Sequence, residues 1–177
     1  MLELPKKKYQ IIYADPPWRY RFGFKDRAIE KHYPTMVLED IKKMKVPSEN
    51  NSVLFLWATA PKLKDAIEVM IDWGFEYKTC AVWDKKIIGM GLCFRGQHEL
   101  LLVGTKGKFS PPIECERISS VLKEKRKGHS KKPDFVRYLI NKWYPDKTKL
   151  ELFARNRYDG WDAYGNELND TIQKMIT

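Results

Sequence analysis

Short apolar runs alternate along this chain with stretches whose apolar residues recur every three or four positions. Ile11-Ile12-Tyr13-Ala14 is the first run, and its β-branched and aromatic content predicts a buried strand. Thr35 is expected to cap a helix running through Met44, with Glu39 and Asp40 in its early turns. Val53 to Trp57 predicts a second strand. Pro61 then opens a helix with Leu63, Ala66, Ile67, Met70 and Trp73 on one face and Gly74 as its stop. Phe75 to Trp83 and Glu99 to Gly104 read as strands, separated by a glycine-rich basic surface loop from Lys85 to Gly96; Arg117 to Leu122 reads as a shorter strand. Pro133 is placed at the first position of a helix whose buried side carries Phe135, Val136, Leu139, Ile140 and Trp143. Lys149 to Phe153 is the last strand, Trp161 to Asn166 is turn-rich, and a short helix is expected from Leu168. This alternation predicts an α/β fold with a mostly parallel sheet and helices on both faces. There is no repeat and no linker, so residues 1–177 are expected to form a single domain.

Charge adds a partner to this picture. Lys and Arg number 33 against 23 Asp and Glu, a net charge of +10, which points to a polyanion and first to nucleic acid. Hydrophobic content of 43% and charged content of 32% fit a soluble protein, and no run approaches a membrane span. Cys80, Cys93 and Cys115 lack metal-type spacing and their odd number argues against a disulfide framework. Met1 to Gln10 has no apolar core of a signal peptide, so a cytoplasmic location is expected.

The chemistry concentrates where the first strand ends, at Asp15-Pro16-Pro17-Trp18. Proline fixes φ and has no N–H, so Pro16 and Pro17 stop the ladder and stiffen the loop. One carboxylate, outward carbonyls and an indole are thereby held close together. The exocyclic amine of a nucleobase has two hydrogens for such acceptors and a flat ring to stack. The same four residues also fit a plain strand-end turn closed by a partly buried tryptophan. Open α/β sheets bind ligands at such strand ends. From Arg19 to Arg27 aromatics interleave with cations, including Arg21, as suits a nucleic-acid loop or an ordinary solvated one. Lys123 to Lys132 is the densest basic run. Lys132, just before a helix, offers with the free N–H groups of that terminus an anion site. There is no G-x-G-x-x-G, no Walker loop and no His/Cys metal cluster.

Ala14-Asp15-Pro16-Pro17-Trp18, Tyr33-Pro34-Thr35-Met36, Leu54 to Thr59, Glu99 with Leu102-Val103-Gly104, Lys132-Pro133-Asp134, Glu151 to Arg155, and Trp161 with Gly165 to Leu168 follow one another in an order that resembles the MT-A family of N(6)-adenine methyltransferases. The resemblance covers about Tyr9 to Leu168. It implies a Rossmann-like methyltransferase fold with permuted motif order, S-adenosylmethionine as cofactor, and methyl transfer to the N(6) amine of adenine. By position, Asp15 and Pro16 would hold the amine, with Pro17 and Trp18 in the catalytic motif and Trp18 with Tyr33 shaping the base pocket. Tyr33, Trp57 and Glu99 would face the substrate base, with Arg19 and Arg21 on the nucleic acid. Lys132 would take the methionine carboxylate. Arg155 and Asn156 would serve the ribose, with Glu151 behind them, and Asn166 and Glu167 would lie near the cofactor adenine, Asp15 also bordering the cofactor. Two features depart from the pattern: only Met1 to Gln10 precedes the catalytic strand, and Glu167 stands where Gln is frequent. The implied substrate is DNA ahead of RNA, acted on by a monomer or homodimer of phage or bacterial type. RNA adenine methylation, or a non-catalytic nucleic-acid-binding subunit, are the alternatives.

Overall fold

The computed structural model describes residues 4–20, 35–91, 93–127, 131–166 and 168. Among them, seven strands form one sheet: β1 (Tyr9–Ala14), β2 (Ser48–Ala58), β3 (Glu76–Asp84), β4 (His98–Lys106), β5 (Val121–Lys123), β6 (Lys149–Leu152) and β7 (Asp162–Tyr164). Their order is β5-β3-β4-β2-β1-β6-β7. The pairs β1–β2, β1–β6, β3–β5 and β6–β7 are parallel, whereas β4 runs antiparallel to both β2 and β3. The mostly parallel α/β sheet expected from the sequence is thus present, with one reversed strand inside it.

Both faces of the sheet are covered, which is why its strands read as continuous apolar runs rather than alternating ones. Ile12, Ala14, Leu54, Leu56, Leu102 and Leu150 face Ile41 of α1 (Leu38–Lys42) and Ala66, Val69 and Met70 of α2 (Leu63–Asp72). Ile11, Tyr13, Val53, Phe55, Trp57 and Leu101 face Val136 and Ile140 of α3 (Asp134–Trp143). Because α1 and α3 lie on opposite faces, the chain leaves β1 toward β2 on one side and returns to β6 on the other. The carboxyl ends of β1 and β6 therefore flank the topological switch point, where open α/β sheets form their ligand crevice.

Several boundaries differ from those expected. The first helix begins at Leu38 with Val37 before it, not at Thr35. Met36 is drawn into a parallel bridge with Trp18, its N–H donating to the Pro17 carbonyl at 2.9 Å, and this holds residues 35–36 extended. Pro133 precedes α3 rather than opening it, and Pro61 sits in a short 3-10 turn ahead of α2. Val69 joins the buried face of α2 while Leu63 stays 37% exposed. The turn-rich segment at Trp161 contains β7, a strand that exists only through its pairing with β6. The helix expected from Leu168 lies beyond the described residues.

Candidate active site

The acidic turn sits at the crevice. Asp15 follows Ala14, the last residue of β1, which pairs with Leu56 on one side and Leu152 on the other. Pro16 is buried, and its carbonyl accepts the Trp18 N–H at 2.8 Å. The turn is fastened by Trp18, whose indole Nε1 donates to the Trp57 carbonyl at 3.1 Å. Trp18 is only 6% exposed and packs in the core with Leu56 and Ala58. Its ring anchors the loop from within, with little of its surface open to solvent.

Charge is gathered around Lys132. Its ammonium lies 2.9 Å from Asp15 Oδ2 and 3.1 Å from Glu99 Oε2, and the other Glu99 oxygen accepts from Lys85 at 3.3 Å. The four groups form an alternating line, Asp15–Lys132–Glu99–Lys85, in which two cations balance two carboxylates. Burial pushes the Asp15 carboxyl up from its ordinary value, against the pull of Lys132 and the field of the Arg155 guanidinium. Burial opposes the charge on Glu99 too, yet Lys132 and Lys85 together hold it below the usual carboxylate range. For Lys132 burial favours the neutral amine, but its two carboxylates win and raise its pKa. Asp15 has 26% of its side chain exposed and Lys132 only 10%, so the aspartate is the member a solute reaches first.

The antiparallel run of β4 puts Glu99 here. Glu99 is opposite Trp83 near the amino end of β4, and that end meets the carboxyl ends of β1, β2 and β3. Lys132 arrives from the start of α3 and stands 5.7 Å above the Trp57 ring. Trp57 is wholly buried, donating from Nε1 to the Tyr13 hydroxyl at 2.6 Å and meeting Trp83 edge to face. Trp57 thus lies under the charged line as its floor, with no surface of its own left for a base.

At the end of β6 the backbone turns sharply. Phe153 has φ of +61°, a left-handed conformation unfavourable for a side chain of this size. Ala154 then bonds through its N–H to the Tyr164 carbonyl, and a Cβ on Gly165 would collide with the Ala154 carbonyl oxygen. Only glycine permits this approach of two backbones. The result is a compact rim carrying the half-buried Arg155 and the exposed Asn156 and Asn166. Glu151, assigned with the ribose group by resemblance, is 5% exposed and held by Arg137 at 2.7 Å and 2.5 Å. That carboxylate is committed to the guanidinium, which itself lies over the Tyr13 and Tyr158 rings. Arg19 is exposed at the turn, while Tyr33, Arg21 and Glu167 lie outside the described residues. Arg137, Lys85 and Tyr20 were not singled out from the sequence. Tyr20 shares a 2.6 Å hydrogen bond with Thr59 just past β2. The signal available for Lys85 was its place one residue beyond an apolar strand. Arg137 lies on the partly polar side of an amphipathic helix, where nothing distinguishes it. Among the described residues no group of His, Cys, Asp and Glu could hold a metal ion, and no helix is long and apolar enough to cross a membrane.

A sheet of this order, with an acidic proline turn at its switch point and a lysine closing on it from the next helix start, defines a Rossmann-like methyltransferase. Residues 9–167 match the MT-A70 family, and the chain belongs to that family. It is 40% identical over 196 residues to the type II methyltransferase M.MunI of a Mycoplasma species, covering 99% of this chain and 84% of that protein. A putative N(6)-adenosine-methyltransferase MT-A70-like protein of Medicago truncatula is 30% identical over 173 residues, and the human N(6)-adenosine-methyltransferase catalytic subunit METTL3 is 29% identical over 179 residues. The chain spans only 27% and 28% of those two longer proteins.

Proposed function

We propose that this chain transfers a methyl group from S-adenosylmethionine to the N(6) amine of adenine in DNA, and that the line Asp15–Lys132–Glu99 is the centre of that site. The carrying observation is the placement of Asp15 Oδ2 2.9 Å from Lys132 within the stiff turn after β1. The donor set suits the methionine end of the cofactor: an ammonium at Lys132 for its carboxylate, and carboxylates at Asp15 and Glu99 for its positive groups. Lys132, Arg155, Asn156 and Asn166 would hold it, at the helix start and along the Phe153–Gly165 rim. When bound, S-adenosylmethionine supplies a methyl group on a cationic sulfur that departs as a neutral thioether.

The residues of this chain prepare the amine. Asp15 and the second lone pair of the Pro16 carbonyl accept its two hydrogens, which draws the nitrogen lone pair out of conjugation with the ring. Lys132 opposes the burial that raises the Asp15 carboxyl. As the new N–C bond forms, the nitrogen becomes strongly acidic and its proton passes to Asp15 and on to water. Positioning and preset acceptors therefore account for the rate, with no strong base needed beforehand. DNA is taken as the substrate because the match running through most of a relative's length is to a type II methyltransferase. The test is incorporation of radiolabelled methyl into matched single- and double-stranded DNA and RNA, by the native chain and by Asp15→Ala. Labelled N(6)-methyladenine in DNA, lost with Asp15→Ala in a protein that still folds, is the expected result. Label confined to RNA would overturn the DNA assignment, and a fully active Asp15→Ala would overturn the role of Asp15.

A further inference from the structure

Beyond β3 and β4 the connecting chain, outside both strands, folds back on itself as an irregular hairpin. Lys85 N–H donates to the Gln97 carbonyl at 3.0 Å, Gly89 to Gly96 at 2.9 Å, and Gly96 back to Met90 at 3.0 Å. Arg95 Nε adds a bond to the Gly89 carbonyl at 3.0 Å. A Cβ at Gly91 would collide with the Phe94 carbonyl oxygen, so only glycine fits at that position. The root is over-determined. Asp84 Oδ1 accepts from the Lys86 N–H at 2.9 Å and from Gln97 Nε2 at 2.8 Å, while Oδ2 meets the Lys86 ammonium at 2.8 Å. These bonds hold the Asp84 carboxyl well below its ordinary range and fix Lys86 at φ of +56°.

This rigid element displays apolar side chains into solvent. Phe94 is 90% exposed, Met90 80% and Ile88 56%. Isolated exposed hydrophobics need no explanation, but three on one braced hairpin do. Between Asp84 and Glu99 the chain carries Lys85, Lys86 and Arg95; Lys85 pairs with Glu99 and Lys86 with Asp84, and Arg95 lies nearest the tip. The basic segment after β5 is tied to the root by the Arg126 N–H on the Lys85 carbonyl, at 3.1 Å. Lys85 itself reaches Glu99, so the hairpin grows directly out of the charged line at the crevice.

We propose that the β3–β4 hairpin is a wedge that enters the base stack of duplex DNA beside the target adenine, Phe94 and Met90 filling the space that the extruded base leaves. The inference rests on the adenine reading above and names the form of DNA that site acts on. An adenine in a duplex must leave the stack to reach a pocket, and apolar side chains pushed between base steps unstack and untwist the helix. Arg95 and the basic segment tied to the root by Arg126 suit the phosphates beside the opened step. A wedge works only if it is stiff, and the Asp84 clasp supplies that stiffness.

Two readouts test it with the full chain and plasmid DNA, so no recognition sequence need be known. The first is the change in plasmid linking number after relaxation by a topoisomerase in the presence of the protein. The second is the ratio of methyl incorporation into native and heat-denatured plasmid. The native chain is expected to lower the linking number. Met90→Ala with Phe94→Ala is expected to abolish that change and to cut methylation of native DNA roughly tenfold or more relative to denatured DNA. A double variant that still lowers the linking number as the native chain does, or equal loss on both DNA forms, would overturn the wedge. A double variant whose sedimentation changes while its methylation ratio does not would instead give the tip to a protein partner. No incorporation into either DNA form by the native chain would sink the methyl-transfer reading, while the linking number still judges the wedge.

Discussion

Lys132 decides the charge balance of the crevice. With its ammonium removed, Asp15 and Glu99 would face one another across a partly dry site with only Lys85 and the field of Arg155 against them. An opposite charge at this range lowers a carboxyl by about one to three pKa units. Burial has already raised Asp15, so losing Lys132 raises it further. If Asp15 must be ionised to accept the amine hydrogens, Lys132→Met moves the acid limb of the pH–activity profile to higher pH. Rates measured at saturating methyl donor should fall on the acid side and recover as the pH rises, and an unshifted limb would detach Lys132 from Asp15. Asp15 and Lys132 were legible in the sequence because each carries a local mark, a carboxylate before two prolines and a lysine before a helix start, whereas Glu99 came only through the family resemblance. Their mutual contact was not legible, since Asp15, Glu99 and Lys132 come from three separate strand and helix ends. Trp18 and Trp57 illustrate the opposite error. An indole beside a reactive carboxylate reads as a stacking surface, whereas here both rings are used to pack the floor and fasten the turn.

Among the elements, α3 and β6 are joined by the buried Arg137–Glu151 pair. Burial keeps the Glu151 carboxyl above its ordinary value even with the guanidinium attached. Arg137→Ala leaves that carboxylate alone and should cost about 3–5 kcal/mol of unfolding free energy in denaturant titration. The sign with pH follows from linkage. The folded-state pKa of the orphaned Glu151 lies above its unfolded value, so the folded state prefers the proton. The deficit should therefore be greatest at neutral pH and shrink as the pH falls through the raised value. A deficit independent of pH would place the loss in packing against Tyr13 and Tyr158 instead. The longer elements were readable from periodicity, but β7 and the true start of α1 were not. Asp162-Ala163-Tyr164 has no alternation to see, and Thr35 looks like a cap until Trp18 pulls its neighbour Met36 into a bridge.

The whole molecule carries +10, and part of that excess runs through the segment after β5 beside the wedge root. The logarithm of DNA affinity should fall linearly with the logarithm of salt concentration. Replacing Lys125 and Arg126 with Ala should reduce the slope by roughly 0.9 for each phosphate that these side chains neutralise. An unaltered slope would move the backbone contacts to the opposite bank of the crevice, on the Arg19 side. The position of β1 has a further consequence, for how the molecule is made. One of the two parallel neighbours of β1, β6, is translated more than a hundred residues after it. Until then the Ile11–Ala14 backbone presents an unpaired hydrophobic edge, the kind of edge other chains add to. Parallel pairing at such sequence separation is slow, so refolding yield should drop as protein concentration rises. The nascent chain gains the rim at Arg155 only when that edge closes, and a polypeptide still lacking β6 is both inactive and prone to aggregate.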